Sequence, residues 1–179
     1  LDVLPFGTAT FADLEDGALD CALYADADLP PDFHYRELFR DGYGCVARSG
    51  HPALAGDPEG LLDRIAAARH VTVLYPDAGR MLPDEVLREM RVAPAHTALR
   101  TPYFMSAPWV IARSDLLMCA PLRAARRLAS VAGLEVAPLP GCPTFAYRLI
   151  WHERAHRDPG LRWLRGLLGG PSSLDDPGS

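Results

Sequence analysis

The 179-residue chain predicts an α/β fold of two lobes joined by two crossover strands. Short apolar runs rich in Val, Leu, Tyr and Phe alternate with amphipathic stretches, the pattern of strands and helices in parallel α/β layers. Two segments break that periodicity: Arg48-Ser-Gly-His-Pro52 follows a strand, and Pro138-Leu-Pro-Gly-Cys-Pro143 crowds prolines and a glycine before the last strand. Read as hinges, they make the middle of the chain an insertion and let its two ends fold together. Lobe I is then 1–48 plus 141–170, lobe II is 49–140, and a cleft separates them; 171–179 reads as a flexible Gly/Pro/Ser-rich tail.

Each element follows from local pattern. Leu1–Phe6 alternates like a strand, and 8–17 reads as a short helix closed by Gly17. Cys21–Ala25 is a buried strand, Pro30-Pro31 breaks the chain, and 33–39 and 43–48 are strands around the turn Asp41-Gly42. A helix at 61–69 and a strand at 70–75 come next, then a helix at 83–91 with Pro at its start. Strand 97–101, helix 105–113, strand 115–119, helix 121–132 and strand 134–138 continue the alternation. Thr144–Trp151 is aromatic and branched, hence a strand, and Asp158-Pro159 supplies an N-cap followed by proline at the first helical position of the last helix.

Composition narrows the function. With 49% hydrophobic and 23% charged residues the chain is ordinary globular material. Its net charge of −5 gives no overall basic footprint for nucleic acid. All 18 basic residues are Arg, a bias that weakens arguments from any single one. Cys21, Cys45, Cys119 and Cys142 form no C-x-x-C pair and suit small core thiols in a reducing cytoplasm. No apolar run has the length of a membrane span, and no charged-then-apolar signal segment opens the chain.

His152-Glu-Arg-Ala-His156 fits H-E-x-x-H, which on a helix would offer two imidazoles to zinc with the Glu as general base. A strand running into His152 and a helix beginning after His156 deny it that geometry, and no His, Cys or Glu lies downstream as a third ligand. His34, His51, His70 and His96 have no recognisable nucleophile beside them, so no catalytic triad is expected. Neither metal nor cofactor is expected, and the chain reads as a non-enzyme. Arg123, Arg126 and Arg127 read as a solvated helix face or subunit contact.

Taken in order, Glu15-Asp-Gly-Ala-Leu-Asp-Cys21, Glu37-Leu-Phe-Arg-Asp-Gly-Tyr43, Ser49-Gly-His-Pro52, His70-Val-Thr-Val73, Ala112-Arg-Ser-Asp-Leu-Leu117, Ala120-Pro121 and the run from Trp151-His-Glu-Arg to Trp163-Leu-Arg carry a resemblance. Together they resemble the effector-binding domain of LysR-type transcriptional regulators, nearest the branch of nodulation and aromatic-catabolism regulators. The resemblance implies a periplasmic-binding-protein type II fold with an effector held between lobes. It also implies a DNA-binding winged helix-turn-helix and a linker helix not among these residues, nor are the family's first effector-domain strand and helix.

By the same resemblance, the loop at Thr8 and Thr10 would meet an effector carboxylate or oxygen. Amides at a helix start suit that role, although a threonine there can equally cap the helix. Tyr75, Pro76, Thr101, Pro102, Tyr103 and Phe104 would line the pocket, the two aromatic rings of 103 and 104 suiting a planar aromatic acid or flavonoid-like ligand. Phe104 also suits a core position. Implied partners are a small-molecule effector, DNA only through the domain outside this chain, RNA polymerase, and a second copy in the full-length protein; no membrane is implied. The rivals are a transporter's solute-binding protein and a zinc hydrolase built on His152–His156.

Overall fold

In the computed structural model, residues 1–25, 28–74, 88 and 96–169 are described. They form two compact units, one of residues 1–40 with 145–179 and one of residues 41–144. The chain thus passes between units at 40/41 and at 144/145, and the strand 43–48, expected in the first lobe, belongs to the middle unit.

In the first unit, α1 (Thr10–Asp16) ends on Gly17, whose φ of 85° is the left-handed turn that glycine enters without steric cost. β1 (Ala22–Tyr24), β2 (Phe33–Asp41) and β8 (Phe145–His152) make a three-stranded sheet in the order β1-β8-β2. β1 runs antiparallel to β8, with Ala22 opposite Ile150. Leu149, Trp151 and Ala155 form a small core against which Cys21, Leu38 and Leu161 pack. Phe11 sits edge-on to Phe6, Tyr24 and Phe33 at centroid distances of 5.8, 5.4 and 5.2 Å, tying α1 to the sheet.

The strand expected at Leu1–Phe6 is absent. Among the described residues no strand pairs with it, and Leu1, Val3 and Leu4 are exposed, so alternation without a partner ladder yields extended but unpaired chain. The helices expected at 8–17 and 61–69 shorten to α1 and to α2 (Leu61–Ala67). The segment expected as a helix at 105–113 is a 3-10 turn, Phe104–Ser106, followed by the five-residue α3 (Ala107–Ile111). The helix read at 83–91 lies, but for Arg88, outside the described residues, as does the tail 171–179.

The middle unit is a five-stranded sheet in the order β5-β4-β6-β3-β7, from β3 (Tyr43–Arg48), β4 (Arg69–Val73), β5 (His96–Thr101), β6 (Leu116–Pro121) and β7 (Leu134–Pro138). β4 is parallel to β5 and β6, as alternation predicts, but β3 is antiparallel to both β6 and β7. The sheet is therefore mixed: β6, α4 (Leu122–Ala132) and β7 form a crossover unit split by β3, which runs the opposite way between the two strands. Val46, Val71, Ile111, Met118, Ala125 and Leu128 anchor its core.

α4 begins at Pro121, which has no capping side chain, and Asp41 supplies the cap from a distance. Its carboxylate accepts the Arg123 N–H at 3.2 Å and the Gly42 N–H at 2.9 Å. Burial nevertheless raises the Asp41 pKa, with the two backbone bonds pulling against that shift. The Arg126 and Arg127 side chains of α4 are exposed while Ala125 and Leu128 are buried, the amphipathic division the sequence predicts.

None of the four cysteines is in a disulfide. Cys45 and Cys119 face one another across β3 and β6. The Cys119 pKa is raised by its hydrogen bond with Cys45 and by burial, and His70 only partly offsets this. Burial pushes the Cys142 thiol up to about 11. At pH 8 that leaves roughly a hundredfold less thiolate than an ordinary thiol carries, so iodoacetamide should label Cys142 about a hundredfold more slowly in the folded chain than in urea. Site-resolved mass spectrometry checks this; equal rates in the two conditions would refute it.

Candidate functional site

The two groups of residues singled out by sequence lie in different units. In the first, Thr10 is buried and its hydroxyl oxygen accepts the Gly7 N–H at 2.9 Å, while the Thr10 N–H bonds back to the Gly7 carbonyl at 3.1 Å. This side chain closes the turn that leads into α1 without capping the helix, whose N-cap position is Ala9 and carries no side-chain cap bond. Thr8 is exposed in the same turn.

In the middle unit, Thr101 ends β5 and its Oγ1 accepts the Tyr103 N–H at 3.1 Å. That bond fixes the turn through Pro102 and projects Tyr103 to 71% exposure, unusual for a ring of that size. Phe104 faces the other way and packs against the core of the unit. The structure therefore divides the expected aromatic pair into one outward ring and one core ring. Tyr75 and Pro76 lie outside the described residues.

The H-E-x-x-H segment is not an α-helix. β8 runs to His152, Glu153–Ala155 make a single 3-10 turn, and α5 (Pro159–Leu168) starts beyond His156, capped by Asp158 through the Leu161 N–H at 2.8 Å. His152 points its Nδ1 at the Arg154 N–H, so the two motif histidines do not share a helix face. Glu153 and His156 meet His34 of β2 instead, each offering a potential ligand atom within 4.8 Å of the others. The Glu153 carboxylate is hydrogen-bonded to His34, which holds its pKa below the usual range, with Arg157 adding positive charge nearby. The indole N–H of Trp151 donates to His156 Nδ1 at 3.2 Å, so a metal on that nitrogen would have to displace it.

Another convergence was not visible in the sequence. Arg36 of β2 meets Arg157, Arg162 and Arg165 around a cavity of about 580 Å³ in the first unit. Pairing of β2 with β8 brings residue 36 beside the segment that follows residue 152. A surplus of Arg throughout the chain hid the signal.

Residues 1–170 match the family described as LysR substrate binding domain. The regulator SyrM 1 of Sinorhizobium fredii is 30% identical over 99% of this chain and 52% of its own length, and the activator NagR of a Ralstonia species is 34% identical over 87% and 51%. The chain spans about half the length of these relatives. A probable transcriptional regulator of Pseudomonas aeruginosa superposes with a TM-score of 0.74 at 32% identity, over 89% of this chain and 52% of that one. The regulatory domain of MexT, from the same species, superposes at 0.69 and shares the fold, with 22% identity over 88% of this chain and 75% of its own. The fold is accordingly that of LysR regulatory domains, periplasmic-binding-protein type II-like, and the chain belongs to the LysR substrate-binding domain family.

Proposed function

We propose that this chain is the effector-sensing domain of a LysR-type transcriptional regulator and acts without catalysis. The family match over residues 1–170, with relatives named as helix-turn-helix transcriptional regulators, carries this reading. Among the described residues no helix is long and apolar enough to cross a membrane. The full-length protein would work in the cytoplasm, bind DNA through a domain outside this chain, pair with a second copy and contact RNA polymerase.

The effector we propose is a planar aromatic acid or a flavonoid-like compound. Thr8, exposed in the turn that leads into α1, and Thr101 with Tyr103, as the pinned polar turn and outward ring of the middle unit, are its proposed contacts. Thr10 and Phe104 then shape these contacts from behind, while Tyr75, Pro76 and Pro102 remain part of the proposed site. Such a ligand regulates only by differing in affinity for two conformations of the protein.

Thermal-shift titration with benzoate, salicylate and a flavone tests the proposal. A ligand at a hundred times its Kd stabilises the chain by about 2.7 kcal/mol. The expected result is a saturable shift with at least one of them, lost in both Thr8→Val and Tyr103→Ala. A shift that survives both substitutions, or none with any of the three, counts against the assignment.

A further inference from the structure

The guanidinium groups around the cavity of the first unit gather where an acidic chain has every electrostatic reason to spread them. α5 presents Arg162, Arg165 and Gly166 on one face, at the i, i+3, i+4 spacing of helix neighbours. Arg36 and Arg157 complete the ring, with Trp151 and His156 as its remaining wall.

The arginines divide into two kinds. Arg165 is committed to structure: Nη1 donates to the Ala155 carbonyl at 2.9 Å and Nη2 to the His156 carbonyl at 2.7 Å. Arg36 is committed too, donating to the Arg165 carbonyl at 3.2 Å. The side chains of Arg157 and Arg162 make no ion pair and no hydrogen bond among the described residues. The two nearby carboxylates are already engaged, Glu153 by His34 and Asp158 by the first turn of α5. Burial lowers the Arg165 pKa and Arg162 and Arg36 repel its charge while Asp158 attracts it, so among the described residues four guanidinium groups share the cavity with two nearby carboxylates that are already engaged, a surplus of positive charge.

We propose that this cavity is a binding site for a small organic oxyanion carrying two or more negative charges, with Arg157 and Arg162 as its direct ligands. A volume of about 580 Å³ is larger than an inorganic ion needs and falls within the size of small-molecule sites. Planar guanidinium forks match carboxylate and phosphoryl oxygens alike, so the shared chemistry is the multivalent oxyanion. The site is separate from the proposed aromatic-acid contacts: all of its residues lie in the first unit, and none is Thr8. Gly166 provides an independent handle, because a Cβ placed there meets nothing within 4 Å. A large side chain at 166 would therefore enter the cavity without disturbing the fold, and leaving glycine favours the helix.

Isothermal titration of the 179-residue chain at fixed ionic strength, with citrate, with fructose 1,6-bisphosphate and with chloride as control, tests the site. The expected result is saturable one-site binding of citrate, the bisphosphate or both. Affinity should fall by about tenfold or more in the Arg157→Gln, Arg162→Gln double variant, as expected when charge-assisted bonds are lost. Binding should vanish in Gly166→Trp and persist in Gly166→Ala, Thr8→Val and Tyr103→Ala. Tighter bisphosphate binding identifies a phosphorylated ligand, tighter citrate binding a polycarboxylate, and equal binding a site selected by charge alone; all three support the proposal. It is overturned if neither anion binds saturably, if the double variant and Gly166→Trp both stay within about twofold of the parent, or if a short DNA duplex binds where the small anions do not.

Discussion

Ile111→Ala should lower the stability of the middle unit by about 2–5 kcal/mol, the range for removing a large side chain from a close-packed core. Ile111 is fully buried in α3 and belongs to the cluster that includes Val46, Val71, Met118 and Ala125. α3 has five residues, far too few to be helical alone, and it touches β3, β4, β6 and α4. The packing of Ile111 therefore holds the helix in place. For a chain of this length the change corresponds to a fall in Tm of roughly 5–15 °C. Calorimetry checks it against Val131→Ala, at a position 73% exposed, which should leave the transition where it was. Because α3 follows directly on Tyr103 and Phe104, the same variant should weaken any aromatic ligand held there. A shift in Tm no larger than that of Val131→Ala would show that α3 is not seated by this residue.

The predicted elements survived best where chemistry is local. Asp158-Pro159 announces a capped helix, and the Asp158 carboxylate does accept the Leu161 N–H. The aromatic run 144–151 becomes β8; the turn expected at Asp41-Gly42 does not form, because β2 runs through Asp41 and after one residue the chain enters β3 of the other sheet. What failed to show depends on partners far along the chain. Alternation at Leu1–Phe6 records which side chains could face a core, not whether a neighbouring strand exists. Asp41 reads as a turn residue, yet it caps a helix 82 positions away. Alternation also predicts parallel layers, but cannot foresee a strand entering between β6 and β7 in the opposite direction. At the candidate contacts, the resemblance singled out Thr101, Tyr103 and Phe104 together but could not tell that Phe104 turns inward. The H-E-x-x-H pattern likewise gave the right residues the wrong company: Glu153 and His156 assemble with His34, because β2 reaches beside the end of β8.

Arg165→Met should destabilise the first unit by about 2–4 kcal/mol, despite keeping much of the apolar volume of the side chain. Arg165 is 7% exposed, and its guanidinium lies 4.5 Å from the Trp151 ring centroid while donating to two carbonyls of the turn before α5. Methionine fills the space but donates nothing, which leaves the Ala155 and His156 carbonyls without the bonds that join helix to turn. Each such bond from a charged donor contributes about 1.5–3 kcal/mol. Two effects oppose the loss, since removing the guanidinium also removes the cost of burying it and the repulsion from Arg162 and Arg36. The Ala155 carbonyl decides the sign, because this buried acceptor stripped of its donor cannot recover the bond from water. Arg165→Lys should recover only part of the stability, a single ammonium being unable to span both acceptors as the planar fork does. Urea unfolding gives the magnitude, and tryptophan emission gives the location: Trp151 is 8% exposed and should shift to the red on loosening, while Trp109 and Trp163 are already exposed. If Arg165→Met unfolds within about 0.5 kcal/mol of the parent, the ordinary range for a surface change, the clamp is not what joins α5 to the turn.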